Sequence, residues 1–107
     1  MLRFARPALV TTLALAGLLA GCSTVEEDKT ANWTPERIYT EARDEAQSGG
    51  YEQAVPLFEK LEGRAAGTPL AQQAQLEKAY AQYKSGEKAP AVATLDRFMK
   101  LHPSSPA

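Results

Sequence analysis

The sequence predicts an all-α fold: antiparallel helical hairpins stacked into the start of an α-solenoid. Three observations point there. A Thr-Pro pair opens two segments, at Thr34-Pro35 and again at Thr68-Pro69. Glycines interrupt both segments, at Gly49-Gly50 and at Gly86. Between these marks the apolar residues recur at helical rather than alternating spacing.

The first helix is expected to start at Thr34 as N-cap, with Pro35 at the first helical position, where its missing N–H costs nothing. Glu36 places a carboxylate at the positive end of the helix dipole. Ile38 and Ala42 carry the apolar phase to the Gly49-Gly50 break. Tyr51, Ala54, Val55, Phe58 and Leu61 then predict a second helix over 51–62, with Pro56 straining its early part and 63–67 as a linker. Thr68-Pro69 opens a third helix that runs to about Lys84 through Leu70, Ala74, Leu76, Ala79, Tyr80 and Tyr83. Ser85-Gly86 ends it. The fourth covers about 88–101, with Pro90 in its first turn, where N–H groups are free anyway. Ala91, Val92, Leu95, Phe98, Met99 and Leu101 are its apolar positions, and His102-Pro103 stops it.

An offset of 37 superimposes the two hairpins: Ala42 on Ala79, Gly49 on Gly86, Ala54 on Ala91, Phe58 on Leu95 and Leu61 on Phe98. Small residues let the paired helices approach closely, glycine supplies the left-handed turn, and the large residue fills the space between hairpins. The pattern Gly50-Tyr51, Ala54, Phe58 resembles the tetratricopeptide repeat, with Lys88 standing at the second tyrosine position. The repeats are read as 34–67 and 68–107. Because such stacks normally need three or more units, the second is expected to be cut short before a third. Tyr39, Tyr51, Phe58, Tyr80, Tyr83 and Phe98 are expected mainly as core between hairpins. Gln72, Gln73 and Gln75, with Tyr80 and Tyr83, form a candidate peptide groove.

The front of the chain is different in kind. Arg3 and Arg6 precede an uncharged apolar run of about a dozen residues, the length of a secretory h-region and too short to span a bilayer. It ends at Leu19-Ala20-Gly21-Cys22, which resembles the bacterial lipobox. That resemblance implies a signal peptide over 1–21, peptidase recognition through Leu19, Ala20 and Gly21, and acyl chains on Cys22. Ser23, in place of aspartate, implies sorting to the outer membrane. Residues 22–33 read as a lipidated start and flexible tether, Ser23–Asn32 being polar and nearly without apolar mass, with Glu26-Glu27-Asp28 solvated rather than holding a cation.

Composition excludes several classes. The 107 residues allow one small domain at most. Twelve basic residues against 13 acidic give −1, and ten against thirteen remain after residues 1–21, which excludes a basic nucleic-acid surface. One cysteine and one histidine exclude a disulfide framework and a four-ligand zinc site. His102 sits at a helix end with no nucleophile in range, so no catalytic residue, metal or cofactor is expected beyond the lipid on Cys22.

The order of features narrows the reading. The lipobox, the acidic tether, Ile38-Tyr39 and Gly50-Tyr51-x-x-Ala54 lead to Pro69-Leu70-Ala71-Gln72-Gln73-Ala74-Gln75-Leu76, Ala79-Tyr80-Ala81-Gln82-Tyr83-Lys84 and Leu95-Asp96-Arg97-Phe98-Met99-Lys100-Leu101-His102-Pro103. In this the chain resembles the front part of the BamD (ComL/YfiO) family of outer-membrane assembly lipoproteins. It departs at Arg64-Ala65-Ala66-Gly67-Thr68, where the family usually has an aromatic-proline-phenylalanine-glycine loop. The resemblance implies a non-catalytic adaptor on the inner leaflet of the outer membrane, facing the periplasm. Its implied partners are a BamA-like barrel assembly protein, other assembly lipoproteins and unfolded outer-membrane proteins. The alternative is another outer-membrane repeat lipoprotein, a scaffold for polysaccharide export, cell-wall or division machinery.

Overall fold

A computed structural model describes residues 28–106. The signal-peptide reading of 1–21, the recognition residues Leu19, Ala20 and Gly21, the lipidated Cys22 and Ser23 lie outside the described residues. Four helices follow one another: α1 (Pro35–Gln47), α2 (Tyr51–Arg64), α3 (Pro69–Lys84) and α4 (Lys88–Leu101). Among the described residues there is no strand.

Both Thr-Pro starts work as the sequence suggests. The Thr34 hydroxyl accepts from the Arg37 N–H at 3.2 Å, and the Thr68 hydroxyl from the Ala71 N–H at 3.3 Å. Both glycine stops close the same way. Gly49 and Gly86 each adopt φ +91°, a region open to glycine at no steric cost. Around them the N–H groups of Gly49 and Gly50 bond the carbonyls of Ala46 and Glu45, and those of Gly86 and Glu87 bond Tyr83 and Gln82. This paired pattern ends a helix and turns the chain back, so the repeat read from residue types is also a repeat of backbone hydrogen bonds.

Helix α2 runs through Pro56 and past Glu62 to Arg64, two residues into the expected linker 63–67. A mid-helix glycine costs only about 1 kcal/mol, so Gly63 does not end it. The left-handed residue that does turn the chain is Gly67, at φ +83°.

Each helix packs chiefly on its neighbours in sequence: α1 on α2, α2 on α3, and α3 on α4. The core is Ile38 and Ala42 of α1, Ala54, Phe58 and Leu61 of α2, Ala65, and Ala74 and Ala81 of α3. Ala79, Ala91 and Phe98 are also buried. Helix α3, covered on two sides, buries polar residues as well. Gln82 accepts a 2.7 Å bond from the Thr94 hydroxyl of α4, and Lys78 donates at 2.9 Å to Glu62 of α2.

Three expectations are corrected. Leu95 does not fill a space between hairpins; it is 43% exposed, because among the described residues no helix follows to cover that face of α4. Tyr80 and Tyr83 are likewise more than half exposed rather than core, whereas Phe58 and Phe98 are buried and Tyr39 and Tyr51 half-buried. The third correction concerns residues 28–33, expected as tether. Asp28 pairs with Lys60 and with Arg64 (3.2 Å), and Thr30 is buried. Arg64 donates to the carbonyls of Thr30 and Trp33 (the latter at 3.2 Å), and Trp33 stacks under the Arg37 guanidinium at 4.1 Å. Charge and backbone bonding hold this segment together with Trp33, which packs on the core.

Candidate interaction surfaces

Helices α1 and α3 flank a shallow cavity of about 260 Å³, closed at its base by Phe58 and Tyr51 of α2. Arg43 of α1 faces Glu77 of α3 across it, Nε to Oε1 3.7 Å, and lies 5.6 Å from the Tyr39 ring. The Tyr39 phenol is raised above its ordinary value, first by burial and then by the Glu77 carboxylate. The second Glu77 oxygen, Oε2, is buried without a hydrogen-bond partner. Tyr51 meets Tyr80 edge-on at 6.2 Å, and the Lys84 ammonium stands 5.9 Å above the Tyr51 ring. Such a wall offers aromatic faces and the Arg43 guanidinium to an incoming chain, on the kind of extended surface repeat stacks use for binding.

A second groove, of about 390 Å³, is almost wholly apolar. Leu76, Tyr80 and Tyr83 of α3 and Ala91, Val92 and Leu95 of α4 line it. With Met99, one turn after Leu95, also exposed, this side of the α3–α4 hairpin carries more apolar surface than isolated exposed residues would.

The five residues of the candidate peptide groove do not share one site. Gln72 and Gln75 line a cleft near the start of α3, with Arg97 and His102 of α4 opposite. Gln75 is buried within it and Gln73 is exposed. Tyr80 and Tyr83 lie about 12 Å further along α3 at 1.5 Å per residue, in the apolar groove. The expected packing residues Ala42, Ala54, Phe58, Ala79, Ala91 and Phe98 are all buried. Arg43, Glu77, Lys60 and Arg64 carry no mark in the sequence that sets them apart. Their partners lie on other helices or far along the chain, and no spacing rule connects them.

Among the described residues no three His, Cys, Asp or Glu side chains gather as metal ligands, and no helix is long and apolar enough to cross a membrane. His102 caps the end of α4, its N–H bonding the Phe98 carbonyl and its ring tilted on Phe98 at 5.0 Å.

Comparison with known proteins gives a consistent result. Residues 31–107 match the YfiO family model, described as an outer membrane lipoprotein. The outer membrane protein assembly factor BamD of Neisseria meningitidis serogroup B is 44% identical over 103 residues, covering 92% of this chain and 39% of its own length. BamD of Vibrio cholerae is 36% identical over 95 residues, 84% of this chain and 39% of that protein. BamD of Xylella fastidiosa is 33% identical over 97 residues, 90% of this chain and 33% of that protein. The chain thus spans about two fifths or less of the curated relatives it resembles here.

Proposed function

The chain belongs to the YfiO family of outer membrane lipoproteins, and from that premise we propose that it is the anchored front of a periplasm-facing scaffold for assembly of outer-membrane β-barrel proteins. The observation that carries the reading is the family match over 31–107, together with relatives named as outer membrane protein assembly factors. The anchor is Cys22, acylated after cleavage behind Leu19-Ala20-Gly21, with Ser23 directing it to the outer membrane. Several acyl chains on one residue hold a protein to a bilayer durably, where a single chain would not.

In this reading the chain forms two tetratricopeptide-like repeats, 34–67 and 68–107, that act by binding rather than by catalysis. Their contribution is surface. The Arg43–Glu77 groove suits polar backbone and aromatic side chains of an unfolded outer-membrane protein. The apolar side of α3 and α4 suits a further packed element. Partners in this reading are a BamA-like barrel assembly protein and companion assembly lipoproteins.

The test is crosslinking in the source envelope at native length, then detergent extraction and mass spectrometry. Recovery of the barrel-assembly protein and its lipoproteins is the expected result. Recovery of only glycan-export, cell-wall or division proteins would replace the reading with a generic scaffold.

A further inference from the structure

The clasp on residues 28–33 has a geometric meaning once Cys22 is taken as the lipid attachment point, and the inference rests on that reading. Five residues, 23–27, separate Cys22 from Asp28. At no more than about 3.5 Å per residue, that link reaches at most about 20 Å. Were the chain free up to Thr34, the reach would be about 40 Å. The pairs from Asp28 to Lys60 and Arg64, and the Arg64 bonds to the Thr30 and Trp33 carbonyls, therefore halve the tether. They also fix where on the body it ends, at the last two turns of α2.

The antiparallel order of the helices then sets what else lies at that end. The cleft near the start of α3 is lined by Glu62 and Gly63 of α2, Thr68 before α3, and Arg97, Leu101 and His102 of α4. Those residues share the clasped end. The turn at Gly49 lies instead beside Lys84 and Ser85, at the other end of the stack. Helix α2, with 14 residues, separates the two ends by about 20 Å.

We propose that the Asp28–Lys60–Arg64 clasp orients the repeat stack on the lipid surface. The end carrying the α2–α3 junction faces the bilayer, and the turns at Gly49 and Gly86 point into the periplasm. The partner of the clasped end is the phospholipid headgroup layer. Lys29 beside the clasp, Arg37 on the first turn of α1 and Arg97 near the end of α4 are exposed at this end, against the exposed carboxylates Glu36 and Glu59; the cations in excess carry charge of the sign that anionic headgroups attract. Two of the grooves, the apolar one and the cleft at Gln75, would then differ in height above the membrane.

The test uses the lipidated full-length protein in vesicles of phosphatidylethanolamine and phosphatidylglycerol that contain a nitroxide-headgroup lipid. Acylation of Cys22 leaves a single introduced thiol free for a fluorophore. Gly63→Cys marks the clasped end, where a side chain meets nothing within 4 Å, and Glu87→Cys marks the far end. Quenching several-fold stronger at residue 63 than at residue 87 is expected, with the ratio falling toward one in Asp28→Ala and in the Lys60→Gln/Arg64→Gln double variant. Circular dichroism on each variant verifies that the helices persist. Equal quenching at both sites, or a ratio that Asp28→Ala leaves unchanged in a folded protein, overturns the proposal. Vesicle flotation separates the premise from the inference. A wild-type chain that does not float refutes the anchor and the proposal with it, whereas one that floats and quenches evenly refutes only the orientation.

Discussion

Lys78 of α3 reaches Glu62 of α2 across the seam between the two hairpins, Nζ to Oε2 2.9 Å, with the lysine side chain 7% exposed and the glutamate 23%. The pair joins the two hairpins beside the apolar core of Phe58, Leu61 and Ala74. A buried ammonium is tolerable only while its counter-ion is present.

Removing the two partners should therefore have unequal effects. Glu62→Ala leaves the Lys78 charge buried and unpaired and should cost about 2–3 kcal/mol, while Lys78→Met fills similar space without charge and should cost below about 1.5 kcal/mol. Urea unfolding followed by circular dichroism measures both. Equal losses would mean that the pair is too well solvated to matter.

Phe58 and Leu95 occupy matching places in the two repeats but opposite environments, 1% and 43% exposed. Phe58→Ala should cost about 3–5 kcal/mol, and Leu95→Ala well under about 1.5 kcal/mol in the chain of residues 1–107. A thermal melt of each variant reads the difference, and a large loss at Leu95 would show that its face is covered in solution.

Glycine substitutions should divide by conformation. Gly49→Ala forces a Cβ into φ +91° and should destabilise by about 1 kcal/mol, although there is open space around it. Gly63→Ala sits in helical backbone with nothing within 4 Å and should stabilise by about 0.5–1 kcal/mol. Paired denaturation curves test the opposite signs directly.

The Lys60 ammonium, then the Thr30 hydroxyl and N–H, hold the Asp28 carboxyl well below the usual carboxylate range. Its folded-state value lies under its unfolded one, so its contribution is complete above the ordinary carboxylate value of about 3.9. That contribution disappears only as pH falls through the depressed value. A carbon-detected titration of Asp28 should find it still ionised at about pH 3, and Lys60→Gln should move its midpoint upward. An ordinary midpoint in the unsubstituted chain would refute the clasp in solution.

Much of the fold was readable because local chemistry decides it. Thr34 and Thr68 cap what they were expected to cap, and Gly49 and Gly86 turn the chain by the same pair of backbone bonds. What escaped depends on distant partners or on missing neighbours. Asp28 finds Lys60 and Arg64 more than thirty residues away, and no periodicity marks such a pair. Gln75, Lys78 and Gln82 are buried because α3 is covered from two sides, which residue type alone argues against. Tyr80, Tyr83 and Leu95 have the composition of core but are exposed, uncovered by any helix among the described residues. Hydrogen-bonding capacity marks the candidate groove residues in the sequence, but Gln72 and Gln75 line one surface, Tyr80 and Tyr83 another, and Arg43 and Glu77 stand in the groove between α1 and α3.

Viewed as a load path, the attachment of residues 28–33 to α2 changes which part of the molecule bears tension. A pull between a membrane anchor and a partner bound further along would enter at Asp28 and pass through Lys60 and Arg64 into the last turns of α2. Helix α1 lies on the slack side of that path. Drag on the scaffold would thus be carried by three charged side chains and the α2–α3 seam, leaving the groove beside α1 unstretched while the clasp holds.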